Sequence, residues 1–247
     1  MERSLVYFTS DVHLGLREGD PAEREARFLA FLKGIPRDAL ALYLLGDIWD
    51  FWYEYRDVVP RDGGLVVAQL VALKDAGVKV VFIPGNHDIW TYSYLQSLGI
   101  ERVEQPYSVR LGQKSFCLGH GDRLGGSGGF FYALALRMFH SKALQWLFST
   151  LHPWIAYRLA RAWSGSGRKR HGSYVFKGDE REPLYRFVLG RSEDYCIFGH
   201  YHSGFDAVLP TGSRFVILED WIGGGAPHAV FDAATSSFSL DSAGGRS

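Results

Sequence analysis

Five short pieces of this 247-residue chain gather side chains that can hold cations: Asp11-Val12-His13, Gly46-Asp47, Gly85-Asn86-His87-Asp88, Gly119-His120-Gly121-Asp122 and Gly199-His200-Tyr201-His202. Carboxylate, imidazole and amide donors without thiolate suit Mn²⁺, iron or Zn²⁺. Asp11 and His13 stand two apart, so an extended segment would point both the same way, and the same holds for His200 and His202. Asp47, alone after an apolar run, is expected to bridge two cations through its two oxygens, while Asn86 offers a neutral oxygen. Two cations held together clamp phosphoryl oxygens and lower the pKa of a shared water, which is the chemistry of phosphate-ester or phosphoanhydride hydrolysis. One such piece alone would carry no message, because a lone histidine is usually a core or surface residue and a lone Gly-Asp is usually a turn. Five of the nine histidines fall in these pieces, and the other four (His140, His152, His171, His228) are scattered, so the set is read together.

Elements that could position these pieces are visible on either side of them. Leu5–Phe8, Ala41–Leu45 and Val78–Ile83 are short, apolar and rich in strand formers, and helical patterns over Pro21–Lys33 and Leu65–Ala76 separate them. That β-α-β-α-β rhythm predicts parallel strands with crossover helices. Later, Val109–Leu111 with Ser115–Leu118, Ala207–Leu209 with Phe215–Leu218, and Ala229–Phe231 with Ser237–Leu240 read as hairpins. A two-layered β core with outer helices follows, an α/β fold with the five pieces at one strand-end edge, where open sheets gather ligands.

Residues 123–178 differ in kind. They hold nine Lys or Arg and no Asp or Glu, so the remainder of a chain with 27 basic and 27 acidic residues is strongly acidic. Large apolar residues crowd the same stretch, among them Phe130, Trp146, Trp154 and Trp163. It reads as a helical cap inserted into a core made of 1–122 and 179–247. Cys117 and Cys196 lie in apolar runs and are expected as buried reduced thiols. The opening segment has no secretory leader pattern, and no apolar run reaches spanning length, so a cytosolic location is expected.

Asp-x-His, Gly-Asp, Gly-Asn-His-Asp, Gly-His and Gly-His-x-His, in this order over about residues 5–205, resemble the calcineurin-like metallophosphoesterase superfamily. The resemblance implies a four-layer α/β/β/α fold of two packed mixed sheets flanked by helices. It also implies that Asp11, His13, Asp47 and His202 hold one divalent metal, and Asp47, Asn86, His120 and His200 the other. Gly46-Asp-Ile-Trp-Asp-Phe-Trp52, the Gly-His-Gly-Asp122 piece, Leu144–Phe148 and Leu151-His-Pro153 narrow the likeness to the UDP-2,3-diacylglucosamine pyrophosphatases of lipid A synthesis, which typically use Mn²⁺. His87 stands where the best-known branch of those enzymes has Arg, so the chain resembles a divergent branch.

His87, next to the expected ligand Asn86, is expected to donate to the phosphoryl group, with Asp88 orienting it or an adjacent loop; Asp122 is expected beside the ligand His120, and Asp50 in a similar supporting role. Asn86, His87, Asp122, Arg161, Ser164, Arg168, His171 and His200 are the expected substrate contacts, with Lys169 and Arg170 close by. The acid-free, apolar cap suits an anionic lipid-nucleotide substrate and the anionic cytoplasmic face of the inner membrane. No nucleic-acid partner and no obligate protein partner are expected. The competing readings are a phosphodiesterase or phosphatase for another anionic substrate (a soluble nucleotide, a nucleic acid or a phosphoprotein) and a scaffold that keeps the fold without the chemistry.

Overall fold

The computed structural model describes residues 3–55, 57–126, 141–159 and 174–242. Strands β1 (Leu5–Thr9), β2 (Ala41–Leu44) and β3 (Lys79–Phe82) run parallel, joined by α1 (Pro21–Gly34) and α2 (Gly64–Asp75). The helix α1 starts where its sequence says it should. Asp20 caps it by accepting from the N–H groups of Ala22 and Glu23 at 3.0 Å, and Pro21 follows at the first turn, where no N–H is needed. β10 (His228–Asp232) and β11 (Ser237–Asp241) add antiparallel on one side of β1, and the two-residue β4 (Glu101–Arg102) on the far side of β3, giving the order β11-β10-β1-β2-β3-β4. The second sheet has the order β5-β6-β7-β9-β8, from β5 (Tyr107–Leu111), β6 (Lys114–Leu118), β7 (Tyr195–Phe198), β8 (Phe205–Val208) and β9 (Arg214–Ile217).

Strand alternation sends each first-sheet strand into two cores. Val6, Phe8, Tyr43, Leu45, Val81 and Ile83 face the second sheet's Phe116, Leu118, Ile197 and Val216. Phe8 stacks between Tyr43 at 5.4 Å and Phe116 at 5.6 Å, and burying each such ring is worth roughly 2–3 kcal/mol. Leu42 and Leu44 face the other way, onto Phe28 and Leu32 of α1 and Val66 and Leu70 of α2. The outer face of the second sheet buries Cys117, Cys196, Phe198 and Phe215 under Leu184 and Val188 of the helix Pro183–Leu189. The layers are therefore α/β/β/α, as expected.

The second sheet is mixed, as the resemblance implied: β6, β7 and β9 are mutually parallel, and the two expected hairpins β5–β6 and β8–β9 are antiparallel. Two details differ from the expectation. The helix Pro183–Leu189 carries the connection to β7, and its short, strongly apolar sequence gave little helical period to read. Within 123–178, Leu124 and Phe176 are buried in the third core. The rest of that stretch, where described, holds the helix Lys142–Ser149 and a helical run over 153–159. Among the described residues no helix is long and apolar enough to cross a membrane.

Candidate metal centre

All five pieces sit just beyond the carboxyl ends of parallel strands β1, β2, β3, β6 and β7. The loops there continue the ladder: Asp11 N–H donates to Gly46 O at 3.1 Å, His13 N–H to Asp47 O at 2.9 Å, and Gly199 N–H to His120 O at 3.1 Å. Among the described residues six non-glycine positions have positive φ, and five of them are Asp11, His13, Asp47, His200 and His202. Left-handed backbone costs a residue with a Cβ about 1 kcal/mol or more. The expectation that these pairs converge because the chain is extended is thus corrected. Each side chain is aimed by a local reversal, and the packed strands hold the strain.

Each carboxylate divides its oxygens between backbone and site. Asp11 Oδ2 accepts from His200 N–H at 2.9 Å, while its buried Oδ1 has no hydrogen-bond partner among the described residues. Asp47 Oδ1 accepts from His87 N–H at 2.9 Å, so only Oδ2 faces the site, 3.3 Å from His120 Nε2 and 3.9 Å from His13 Nε2 and His87 Nε2. The expected bridge through both Asp47 oxygens is therefore corrected to a single oxygen lying between the two halves of the cluster. Gly85 and Gly199 make this possible, because a Cβ on either would fall 2.1 Å from Asp47 Oδ1 or 2.2 Å from Asp11 Oδ2.

The histidines turn one nitrogen inward. His202 Nδ1 pairs with Asp220 Oδ2 at 2.9 Å, leaving Nε2 3.4 Å from Asp11 Oδ1 and 3.3 Å from His13 Nε2. His120 Nδ1–H donates to Leu45 O at 3.0 Å, leaving Nε2 3.2 Å from Asn86 Oδ1. The His200 ring stands edge-on to His120 at 5.0 Å. Burial pushes the pKa of His200 well down, and His120 adds to this. Burial also opposes charge on His120, yet Asp47 beside it pushes its pKa up to about 10. The cluster thus demands positive charge. An orphaned carboxylate oxygen and facing imidazole nitrogens fit divalent cations, and Asp11, His13 and His202, like Asp11, Asp47 and His120, each bring three donor atoms within 4.8 Å of one another.

The comparisons agree with this centre. Residues 4–204 match the family model described as calcineurin-like phosphoesterase. The protein belongs to that family. It is accordingly a metal-dependent hydrolase. The phosphoesterase is also similar over nearly its whole length to a "UDP-2,3-diacylglucosamine hydrolase" of Porphyromonas gingivalis, 37% identical over 94% of this chain and 96% of the relative. Proteins of the same name from Proteus mirabilis (35% identical, 79% of this chain and 80% of the relative) and Vibrio parahaemolyticus (33%, 87% and 89%) match as well.

The expected catalytic residues are placed unevenly around the phosphoesterase centre. His87 is on its rim. Its Nδ1–H donates to Asp50 O at 2.9 Å, so Nε2 faces Asp47. Of the two roles expected for Asp88, the structure agrees with the loop and not with orienting His87: it is fully buried and accepts N–H groups from Gly85 (2.8 Å), Ile48 (2.8 Å), Asp47 (3.2 Å) and Trp49 (3.4 Å). Burial and the neighbouring Asp47 push its pKa up to about 7. Asp122 is buried too, its Oδ1 accepting from Gln105 Nε2 at 2.5 Å, and Gln105 Oε1 accepts from Gly121 N–H at 2.8 Å. Asp50 reaches both His13 Nδ1 and His87 Nδ1 at 3.5 Å. Arg161, Ser164, Arg168, Lys169, Arg170 and His171 lie outside the described residues.

Sequence reasoning missed Asp220 and Gln105. Asp220 had a usable signal, since Leu218-Glu219-Asp220 follows β9, another parallel strand ending at the same edge. Gln105 had none, because it sits in a loop before β5 and meets Asp122 only through the fold.

Proposed function

We propose that this phosphoesterase hydrolyses UDP-2,3-diacylglucosamine in lipid A synthesis, splitting the P–O–P linkage with water into UMP and 2,3-diacylglucosamine 1-phosphate. The observation that carries the reading is the 37% identity, across 94% of the chain, to the Porphyromonas gingivalis hydrolase of that substrate. In this reading Asp11, His13, Asp47 and His202 hold one cation and Asp47, Asn86, His120 and His200 the other, with Mn²⁺ as the native metal. Bound there, two divalent cations supply Lewis acidity toward phosphoryl oxygens and lower the pKa of water.

The chain's own residues supply orientation and donors. His87, with Nδ1–H anchored on Asp50 O, presents Nε2 to the site, and in its protonated form it donates to a phosphoryl oxygen. The leaving group is itself a phosphate and needs little protonation. Asp88 holds the Asp47 turn, and Asp122 with Gln105 holds the His120 turn. The described part of the insert exposes Trp146 (69%), which supports a peripheral position on an anionic cytoplasmic membrane surface.

The test is hydrolysis of UDP-2,3-diacylglucosamine by purified protein with Mn²⁺, with Asp47→Ala as control. Wild type alone should release UMP and the lipid monophosphate. Mn²⁺-dependent cleavage of bis-p-nitrophenyl phosphate with no turnover of the lipid nucleotide would overturn the substrate and leave the metal chemistry. Co-sedimentation with anionic vesicles, weakened in Trp146→Ala, checks the membrane position.

A further inference from the structure

We propose that a cleft walled by Arg17, Trp154, Tyr157 and Arg158 binds the nucleotide half of the substrate, through stacking on its rings and contacts to its two guanidinium groups. The proposal rests on the function proposed above and adds to it which half of the substrate lies where. The cleft is open to solvent on one side and has a volume of about 380 Å³, within the range of roughly 300–1,000 Å³ typical of small-molecule sites. It connects to the surroundings of the metal centre through one shared residue, Tyr157. A smaller recess lined by Leu14, Asp50, Phe51 and the same Tyr157 lies alongside, and Asp50 is 3.5 Å from His13 and His87. Tyr157 lines both, so the cleft lies one side chain away from Asp50, which in turn touches two histidines of the centre.

The walls have the chemistry a nucleotide needs. Arg17 and Arg158 make no ion pair and no hydrogen bond with another described side chain. Arg158 Cζ lies 4.7 Å over the Trp154 ring, which fixes guanidinium and indole together. Residues 154, 157 and 158 share one face of the helical run 153–159 by their i, i+3, i+4 spacing. Arg17 is held by the chain on both sides: buried Arg24 donates to Leu16 O at 2.5 Å and to Glu18 O at 3.1 Å. A pyrimidine nucleotide offers a ring face, carbonyl acceptors and a phosphate. An acyl chain offers none of these and would strip water from two guanidinium groups without replacing their hydrogen bonds. The nucleotide half is the better occupant.

The experiment uses the full-length protein with Mn²⁺ and UDP-2,3-diacylglucosamine as substrate, and reads inhibition constants for UMP, the lipid monophosphate and inorganic phosphate. Arg17→Ala, Trp154→Ala and Arg158→Ala should each weaken UMP by about tenfold, the scale of one lost stacking or charge-assisted contact. Inhibition by inorganic phosphate, which needs only the cations, should stay within twofold, and Trp154→Phe, which keeps a ring, should stay close to wild type. UMP inhibition unchanged in all three variants, or lipid-monophosphate inhibition weakened in its place, overturns the assignment. Circular dichroism melts separate either result from misfolding. Absence of wild-type turnover overturns the function reading and this assignment with it, so the two failures are told apart by wild type alone.

Discussion

Asp220 Oδ2 accepts the Nδ1–H of His202 at 2.9 Å, and this one bond decides which nitrogen of His202 faces Asp11. The carboxylate is itself anchored, since its Oδ1 accepts from Ile222 N–H at 2.7 Å and Gly223 N–H at 3.2 Å. Carboxylate partners of this kind set a ligand's tautomer and raise its basicity. Asp220→Ala should weaken divalent-metal affinity by about 10- to 100-fold while the fold survives. A Mn²⁺ titration followed by electron paramagnetic resonance reads this directly. Unchanged affinity would remove Asp220 from the centre.

A second expectation concerns Gly85. Its missing Cβ leaves room for Asp47, whose Oδ1 would lie 2.1 Å and whose N would lie 2.7 Å from a methyl there. The Asp47 turn cannot yield, because Asp88 grips its backbone from below. Gly85→Ala should therefore displace the Asp47 carboxylate, and a shift of about 1 Å there is enough to cost about 100-fold in kcat. Gly34→Ala serves as the control, since a Cβ there meets nothing within 4 Å. Equal activity in the two variants would show that the turn is softer than its hydrogen bonds imply.

These two residues also mark what could be read from sequence. The donors of the centre were legible because chemistry restricts them to Asp, His and Asn, and because each follows an apolar strand. The parallel strands β1–β3 were legible from period and spacing. How the donors converge was not. The positive φ of Asp11, His13, Asp47, His200 and His202 is imposed by the packed strand ends, and no local residue preference announces it. Asp88 looked catalytic because it adjoins His87, but adjacency says nothing of direction, and its side chain points into the Asp47 turn. The parallel pairing of β6 with β7 joins segments some 80 residues apart, which hairpin-like local signals cannot encode.

Acid stability should report on Asp194. Ser115 N–H donates to its Oδ2 at 2.8 Å, Ser115 Oγ–H to the same oxygen at 2.7 Å, and Lys114 Nζ to Oδ1 at 3.0 Å. Those donors, the Ser115 N–H first, hold its pKa down to about 2. A depressed carboxylate pKa contributes stability above the unfolded value of about 3.9 and loses it as pH falls toward the folded value. With the side chain 37% exposed, solvent screening trims the contribution to about 1 kcal/mol. Asp194→Asn should thus be less stable than wild type at pH 7, with the gap narrowing between pH ~4 and ~2. Urea unfolding at neutral and acid pH measures it, and a gap that stays constant with pH would rule out the ionised carboxylate as its source.

The last expectation separates substrate capture from chemistry. Phe148, from the helix Lys142–Ser149, sets its ring against Tyr53 at 4.9 Å, Trp90 at 5.0 Å and Phe51 at 6.3 Å. Tyr53 O–H donates to Gln145 O at 2.7 Å and ties the same helix down. These contacts dock the insert onto the two loops that carry Asp50 and His87, so they place the cap without touching a cation donor. Phe148→Ala removes aromatic pairs worth about 0.5–1.5 kcal/mol each and should loosen the helix more than the core. KM for the lipid nucleotide should rise several-fold, while kcat/KM for bis-p-nitrophenyl phosphate, too small to need the cap, should change less than about twofold. If both substrates lose equally, the helix supports the centre itself and is not a substrate-holding element.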